Sequence, residues 1–470
     1  MRRISRAGLV LALAAVGQPA LSAGVPAPSA DPVAHDLSQE FAPPPLDDSR
    51  AAPVDEPLTL EIALRRALDV APRIRQTGAA REAADAGAGW LASPYLPTVT
   101  AGASVNRFRH PTIVTPIREP GAFPPLSDEV REGSVSLGWT VFDFGRGRDA
   151  RSAARTLAEA SGAREEQARM ETLETVTDHF VQLALLDELQ AAHNARLEGI
   201  RESAGQVRAL VGEGRLPGVD HLRMTEVLLE AEADLRSTQQ EIDRVTASLA
   251  TELALDDAPV REGVRAPSLP GQLPPPLRSP DRLGGPMIDA AEARVRTAEH
   301  EVREARRALL PELQVVARQS YRTAPDVPSE RDWALGFQVQ IPLFRGDALA
   351  GIQVRDARAR ERAAELEGAR AALEAALRDL EALERDARGR IQVLDARIGH
   401  LEEAYRIELA SQREGRTTLA DVLSTEARLA AARAERIGRV GTVLIAHLRT
   451  ASLTGELSIV EARRLLGEGA

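Results

Sequence analysis

Trp333-Ala334-Leu335-Gly336-Phe337-Gln338-Val339-Gln340-Ile341 is the stretch that decides what kind of fold this is. Every second residue is large and apolar, and the residues between are Ala, Gly and Gln. A β-strand sends successive side chains to opposite faces, so this strand has one apolar face and one small or polar face. Val135, Leu137, Trp139 and Val141 alternate in the same way with Ser136, Gly138 and Thr140. Val99, Ala101, Ala103 and Val105 alternate with Thr98, Thr100, Gly102 and Ser104. The pattern predicts four strands in two hairpins, at about 97–109, 133–143, 312–322 and 332–343. A half-buried sheet of a soluble protein is patterned alike, so the neighbouring segments have to narrow the choice.

Each hairpin runs into a very long helix. The segments 147–212 and 347–414 contain no proline, and each spans on the order of 100 Å at 1.5 Å per residue. That length exceeds a compact domain. Leu197, Ile200, Ala204, Val207 and Val211 recur with 3-4-3-4 spacing, as do Ile391, Leu394, Ile398, Leu401 and Tyr405. Such spacing marks coiled-coil seams. Arg and Glu fill the intervening faces, as in 358–385.

The chain is also duplicated. Glu213-Gly214-Arg215 followed by Val219-Asp220-His221-Leu222 recurs as Glu414-Gly415-Arg416 followed by Ala420-Asp421-Val422-Leu423. Leu197 and Ile200 match Ile398 and Leu401 at the same offset. A Leu-Pro step opens a strand in each half, at Leu96-Pro97 and Leu310-Pro311. Phe142-Asp143-Phe144-Gly145 and Phe344-Arg345-Gly346 follow the second strand of each. The resulting organisation is a first repeat at 58–255, a Pro-rich crossover at 256–286, a second repeat at 287–457 and a tail at 458–470.

Before the first repeat, Arg2, Arg3 and Arg6 precede the apolar run 7–16, and small residues follow at Ala20, Ser22 and Ala23. This order reads as a secretory signal over 1–23, with a flexible Pro-rich segment at 24–57. No later stretch is apolar and long enough for a membrane helix, so entry into a bilayer requires strands. Four strands cannot close a transmembrane barrel, because bacterial barrels begin at about eight. Three copies supply twelve and place the helices around a common axis.

Composition removes other functions. There is no cysteine, hence no disulfide, no thiolate metal site and no acylated anchor. The net charge of −11 argues against nucleic acid as a partner. The 8 histidines are scattered without an HxH or HxxxH pair, which leaves no metal-site pattern. No phosphate loop or nucleophile elbow is present, so the expectation is a protein with no catalytic residues and no cofactor.

From Leu58 to Leu457 the sequence resembles the TolC-like outer membrane efflux protein family. The resemblance is carried by the opening Leu58-Thr59-Leu60-Glu61-Ile62-Ala63-Leu64, the Leu-Pro strand starts, the aromatic-Gly strand ends and the doubled Gly-Arg…Asp…Leu break. It implies a mainly α fold with a small transmembrane β part: a trimeric duct in which each protomer supplies 4 of 12 strands above a long periplasmic helical barrel. It implies a non-lipidated outer-membrane channel that passes substrates from an inner-membrane transporter and a periplasmic adaptor protein to the exterior. The alternative is a periplasmic coiled-coil structural protein that never enters a membrane. The family's partners would be two further copies of the chain, the adaptor, the transporter and outer-membrane lipid.

By the same resemblance, the doubled break is a periplasmic tip that closes the duct. Asp220 and Asp421 match gate positions, although a first-turn helix residue would explain either. Gly214, Arg215, Gly415 and Arg416 are the positions for adaptor docking. The second tip departs from the family pattern, with Arg416 one position early and Ser424 in place of a second gate aspartate. Trp139, Phe142, Tyr321, Trp333 and Phe344 would form aromatic girdles at the two membrane interfaces.

Overall fold

A computed structural model describes residues 58–90, 96–114, 123–255, 263–278, 283–325, 327–414 and 416–467. The signal and the segment 24–57 lie outside the described residues. The elements run in chain order α1 (Leu60–Val70), α2 (Pro72–Trp90), β1 (Thr98–Ile113), β2 (Leu126–Phe142), α3 (Arg146–Gly212) and α4 (Gly218–Glu252). The second half adds α5 (Pro286–Arg307), β3 (Glu312–Ala324), β4 (Val327–Gln340), α6 (Gly346–Arg413), α7 (Leu419–Thr454) and α8 (Ile459–Leu465). The long helices α3 and α6 contain 67 and 68 residues. No described helix is long and apolar enough to cross a membrane.

The four strands form one antiparallel sheet in the order β1-β2-β3-β4. Its register lines up the alternating residues. Val99, Leu137, Ala317 and Leu335 share one row, and Trp139, Val315 and Phe337 share another. The opposite face carries Thr100, Ser136, Arg318 and Ala334 in one row and Gly138, Val316 and Gly336 in another. One face is therefore mainly apolar, broken at Gln319, and the other is mainly small, polar or charged apart from Val316. On the polar face Glu132 accepts from Arg318 at 2.7 Å and Arg322 at 3.3 Å.

The strands run further than the alternation marks. Beyond Arg107 the register of β1 on β2 shifts, yet pairing resumes at Thr112↔Ser127 and Ile113↔Leu126. Residues 108–111 of β1 lie opposite the single residue Asp128 of β2, an irregularity that lengthens β1 beyond the alternating stretch.

The helices form four columns. α2 and α4 both pack on α3, while α5 and α7 each pack on both α3 and α6. Ion pairs show which half of α3 each covers. Arg73 and Arg81 of α2 reach Glu171 and Glu165, whereas Asp234 and Glu232 of α4 reach Arg196 and Arg201. Likewise Arg296 of α5 meets Glu159 of α3, and Glu426 of α7 meets Arg196. The short helices are thus stacked end to end beside two unbroken ones.

The principal core lies where these stacks meet. Leu60 and Leu64 of α1, Val176 and Phe180 of α3, Leu249 and Leu253 of α4, and Leu444 and Leu448 of α7 are all buried there. The Pro-rich segment packs against it through Val264, Leu269 and Leu273. Leu58 bridges Val264, with Leu58 N–H donating to Gly263 O at 2.8 Å. The segment 458–470, read from the sequence as a C-terminal tail, contains a helix. Residues 459–465 form α8, capped by Ser458, and Ala462 and Leu466 are buried in this core. Two apolar residues at i and i+4 put one face of even a short helix into the core.

The two seams differ in coverage. On α3, Leu197, Ile200 and Val207 are buried. On α6, Ile391 and Leu394 are buried, but Ile398, Leu401 and Tyr405 stay half-exposed within the protomer. α6 is an outer column, with one face open to solvent.

Candidate functional site

Both tips turn in the same way. α3 is capped by Glu213, Gly214 takes the left-handed conformation at φ 70°, and Arg215 N–H donates back to Leu210 O at 2.9 Å. Gly214 N–H donates to Val211 O, which completes a Schellman turn. At the second tip Arg416 N–H donates to Ser411 O at 2.9 Å, the corresponding bond. Gly415 lies outside the described residues. Glycine at 214 follows from the positive φ, which a Cβ disfavours. Arg215 and Arg416 project into solvent, each beside a glutamate: Glu213 at 3.6 Å and Glu414 at 3.2 Å.

Asp220 and Asp421 both occupy the third position of the helix that follows, but their surroundings differ. Asp421 closes a capping box. Its carboxylate accepts from Thr418 N–H at 3.3 Å and Thr418 Oγ1 at 2.6 Å, while its own N–H donates to Thr418 Oγ1 at 3.3 Å. In the first repeat the residue before the helix is Pro217, which has neither an N–H nor a side-chain acceptor. Asp220 instead meets Arg223 at 3.4 Å. It is buried, whereas Asp421 is exposed.

Above the turns, Leu197, Ile200, Val207, Met224, Ala231 and Leu419 form a separate core. Beside it lies a cavity of about 370 Å³ between the two hairpins, lined by Val207, Leu210, Leu216, Leu409, Val422 and Leu423 among others. A smaller one of about 200 Å³ lies beside Arg196. Arg196 joins three helices. Its Nη1 donates to Asp234 of α4 at 2.8 Å, and Nε and Nη2 donate to Glu426 of α7 at 2.8 and 3.3 Å. Burial acts to lower the Arg196 pKa, but the hydrogen bond and charge of Glu426, with Asp234, hold it above its ordinary value. These three residues were not readable as a group, since 230 positions separate Arg196 from Glu426.

The aromatic residues follow the apolar band. On β4 the alternation runs from Trp333 to Ile341, with Arg331 beyond Trp333 and Leu343-Phe344 at the other limit. A register shift after Thr140 sets Phe142 opposite Leu313, in the row of Val339. Trp333, Leu343 and Phe344 are strongly exposed within one protomer. Tyr321 pairs with Arg331, one step beyond the row of Trp333. From Leu313 to Tyr321 the strand covers about 26 Å, comparable to the apolar band of an outer-membrane barrel. Trp139, opposite Val315, falls within that span.

Residues 63–255 and 282–456 match the family model described as outer membrane efflux protein. Among solved structures, the outer membrane protein VceC from Vibrio cholerae aligns with a TM-score of 0.73 at 20% identity, over 85% of this chain and 97% of that one. The outer-membrane channel OprN aligns at 0.72 and 21% identity, over 84% and 90%. The CmeC outer membrane channel of Campylobacter jejuni aligns at 0.69 and 16% identity, over 87% and 89%. At these identities the structural likeness establishes the fold. No curated protein matches the sequence.

Proposed function

The chain belongs to the outer membrane efflux protein family, and from that premise we propose that it is one protomer of a homotrimeric outer-membrane duct. The observation that carries this reading is the sheet. β1 and β4 end a four-stranded sheet in which the apolar row Val99–Leu137–Ala317–Leu335 runs from edge to edge. An open sheet edge in lipid leaves N–H and C=O groups without partners, at several kcal/mol each. Pairing β4 of one copy with β1 of the next keeps the antiparallel order, and three copies close twelve strands. The polar row of Thr100, Ser136 and Arg318 then faces the lumen, and the Leu335 row faces lipid. The exposed seam of α6 meets the α2/α4 column of the neighbour.

Below the barrel the helices continue the duct into the periplasm. Solutes pass passively, and energy comes from an inner-membrane transporter joined through an adaptor protein that docks on Arg215 and Arg416. Asp220 and Asp421 bring carboxylates together at the closing tip, where like charges raise the free energy of the closed state unless cations or arginines compensate. The test is the native mass of protein extracted from separated outer membranes. A mass near three chains is expected; a soluble monomer or dimer in the periplasm would sink the reading.

A further inference from the structure

Directly beneath the sheet, all four helical columns present one face to a single groove of about 790 Å³. Ala83, Ala84 and Gly87 of α2 share it with Ala150 and Ala154 of α3 and Gly351 of α6. Trp90, Leu157 and Val354 add apolar surface and stay largely exposed. The volume is that of an ordinary small-molecule site. At this height α2 and α6 are the outermost columns, α2 packing on α3 and α6 on α5. A groove that reaches both lies on the concave side of the wall. Leu173 and Phe180, which meet α1 in the equatorial core, fall on the opposite side of α3 by the helical period. In the trimeric duct the concave side faces the axis, so the groove lines the lumen.

Arginines gather at the end of the groove away from the sheet. Arg294 continues the lining face of α5 (297, 301, 304), Arg362 that of α6 (351, 355, 358), and Arg164 lies two turns beyond Leu157 on α3. α3 and α6 run away from the sheet and α5 runs toward it, so all three arginines fall at the same end. Arg294 is half-buried, yet among the described residues it makes no hydrogen bond or ion pair, and neither do Arg164 and Arg358. Burial lowers the Arg294 pKa, and the charges of Arg164 and Arg362 lower it further, against Glu365, which pairs with Arg362 at 2.7 Å. Of the lining acids, Glu304 is held by Arg146 at 2.8 Å and Arg355 at 3.7 Å, which leaves Glu301 unpaired. Three unpaired arginines thus surround the groove against one unpaired glutamate. A cation drawn out of water without a counterion costs the fold stability, and a negatively charged guest would supply the missing partner. We propose that the groove is a lumenal binding site for amphipathic organic anions on their way through the duct, with the apolar tail along Leu157, Val354 and Trp90 and the acidic head on Arg294. Arg164 and Arg358 add attraction for the head. This rests on the reading of the protein as a trimeric duct.

The test titrates trimers in lipid nanodiscs with decanesulfonate, decyltrimethylammonium and methanesulfonate, and subtracts uptake by empty discs. Decanesulfonate should bind saturably and about tenfold or more tighter than the other two, which lack the matching charge or the tail. Arg294→Gln should weaken decanesulfonate about tenfold, the loss expected for a hydrogen bond to a charged group. It should leave decyltrimethylammonium no weaker. R294Q trimers should also melt no lower than the wild type, since the substitution removes an unpaired and partly desolvated cation; a lower melting temperature would make the arginine structural and overturn its assignment to the head. Gly87→Leu should abolish decanesulfonate binding by filling the groove. A Cβ added at 87 meets no atom within 4 Å, and leucine suits a helix better than glycine, so this variant should fold. Decanesulfonate uptake equal to that of empty discs, unchanged binding in R294Q or in G87L, or an ammonium that binds as tightly as the sulfonate overturns the proposal. So does a phospholipid that copurifies with wild-type trimers and is missing from G87L, because the groove is then a lipid seat. Wild-type protein that forms no trimer overturns the duct reading and the lumenal site with it, whereas a trimer that ignores decanesulfonate overturns the site alone.

Discussion

The two tips share a backbone and differ in chemistry. Each ends a long helix with the same back-bond to the carbonyl five residues earlier, and each opens the next helix with an aspartate at its third position. Yet Thr418 and Asp421 satisfy each other's side chain and amide, while Pro217 offers Asp220 only its carbonyl and gives the carboxylate no donor. Duplication conserved the turn here and let the cap diverge. A capping box therefore accounts for Asp421, while Asp220 has only its place in the first turn of its helix and the Arg223 pair. A carboxylate that is buried, and held at 3.4 Å by an arginine half in solvent, is the freer of the two to respond to a cation or a neighbouring subunit.

Three substitutions bear on this contrast. The largest effect belongs to Thr418→Ala, which removes the hydroxyl from the box. It should destabilise the start of α7 by about 1 kcal/mol, read as faster hydrogen exchange at the amides of Leu419 to Val422. Unchanged exchange there would show that the box contributes nothing and that the tips are equivalent. Next, Pro217→Thr should build the missing box with Asp220. The backbone at 217 already has φ −62° and ψ 144°, an extended conformation that suits a cap. A gain of about 0.5–1 kcal/mol at the start of α4 is expected, with slower exchange at Val219 and Asp220; no gain would mean that Asp220 is committed elsewhere. The smallest effect belongs to Arg223→Ala, a few tenths of a kcal/mol at most, because the pair is partly solvated. A melting shift of several degrees in the trimer would contradict that and make Arg223 structural.

Much of this was legible in the sequence because it repeats at short range. The alternation from Trp333 to Ile341 fixes which residues share a face, and the recurrence of Glu-Gly-Arg…Asp marks both turns. The fold was less legible where it depends on distant pairing. Phe142 joins the apolar row only through a register shift on β3. The seam on α6 reads like that on α3, yet only α3 lies between two columns in the protomer. At the candidate site Arg196 was not legible, since one arginine on an Arg-rich helix carries no signal until α4 and α7 bring carboxylates to it.

The meeting of α1 and α8 has a consequence for biosynthesis. Arg463 of α8 reaches Glu61 of α1 at 2.8 Å, and Leu60, Leu64, Ala462 and Leu466 occupy the same core. Two segments about 400 residues apart thus complete one another. A polypeptide made in sequence order releases α1 first and α8 after every other element described. Until then the core stays open on one side, and the loop that must close is nearly as long as the chain. The helical columns can pair as they emerge, because their contacts run between successive hairpins. The equator can only be sealed afterwards, which keeps the chain pliable until its last described helix is free.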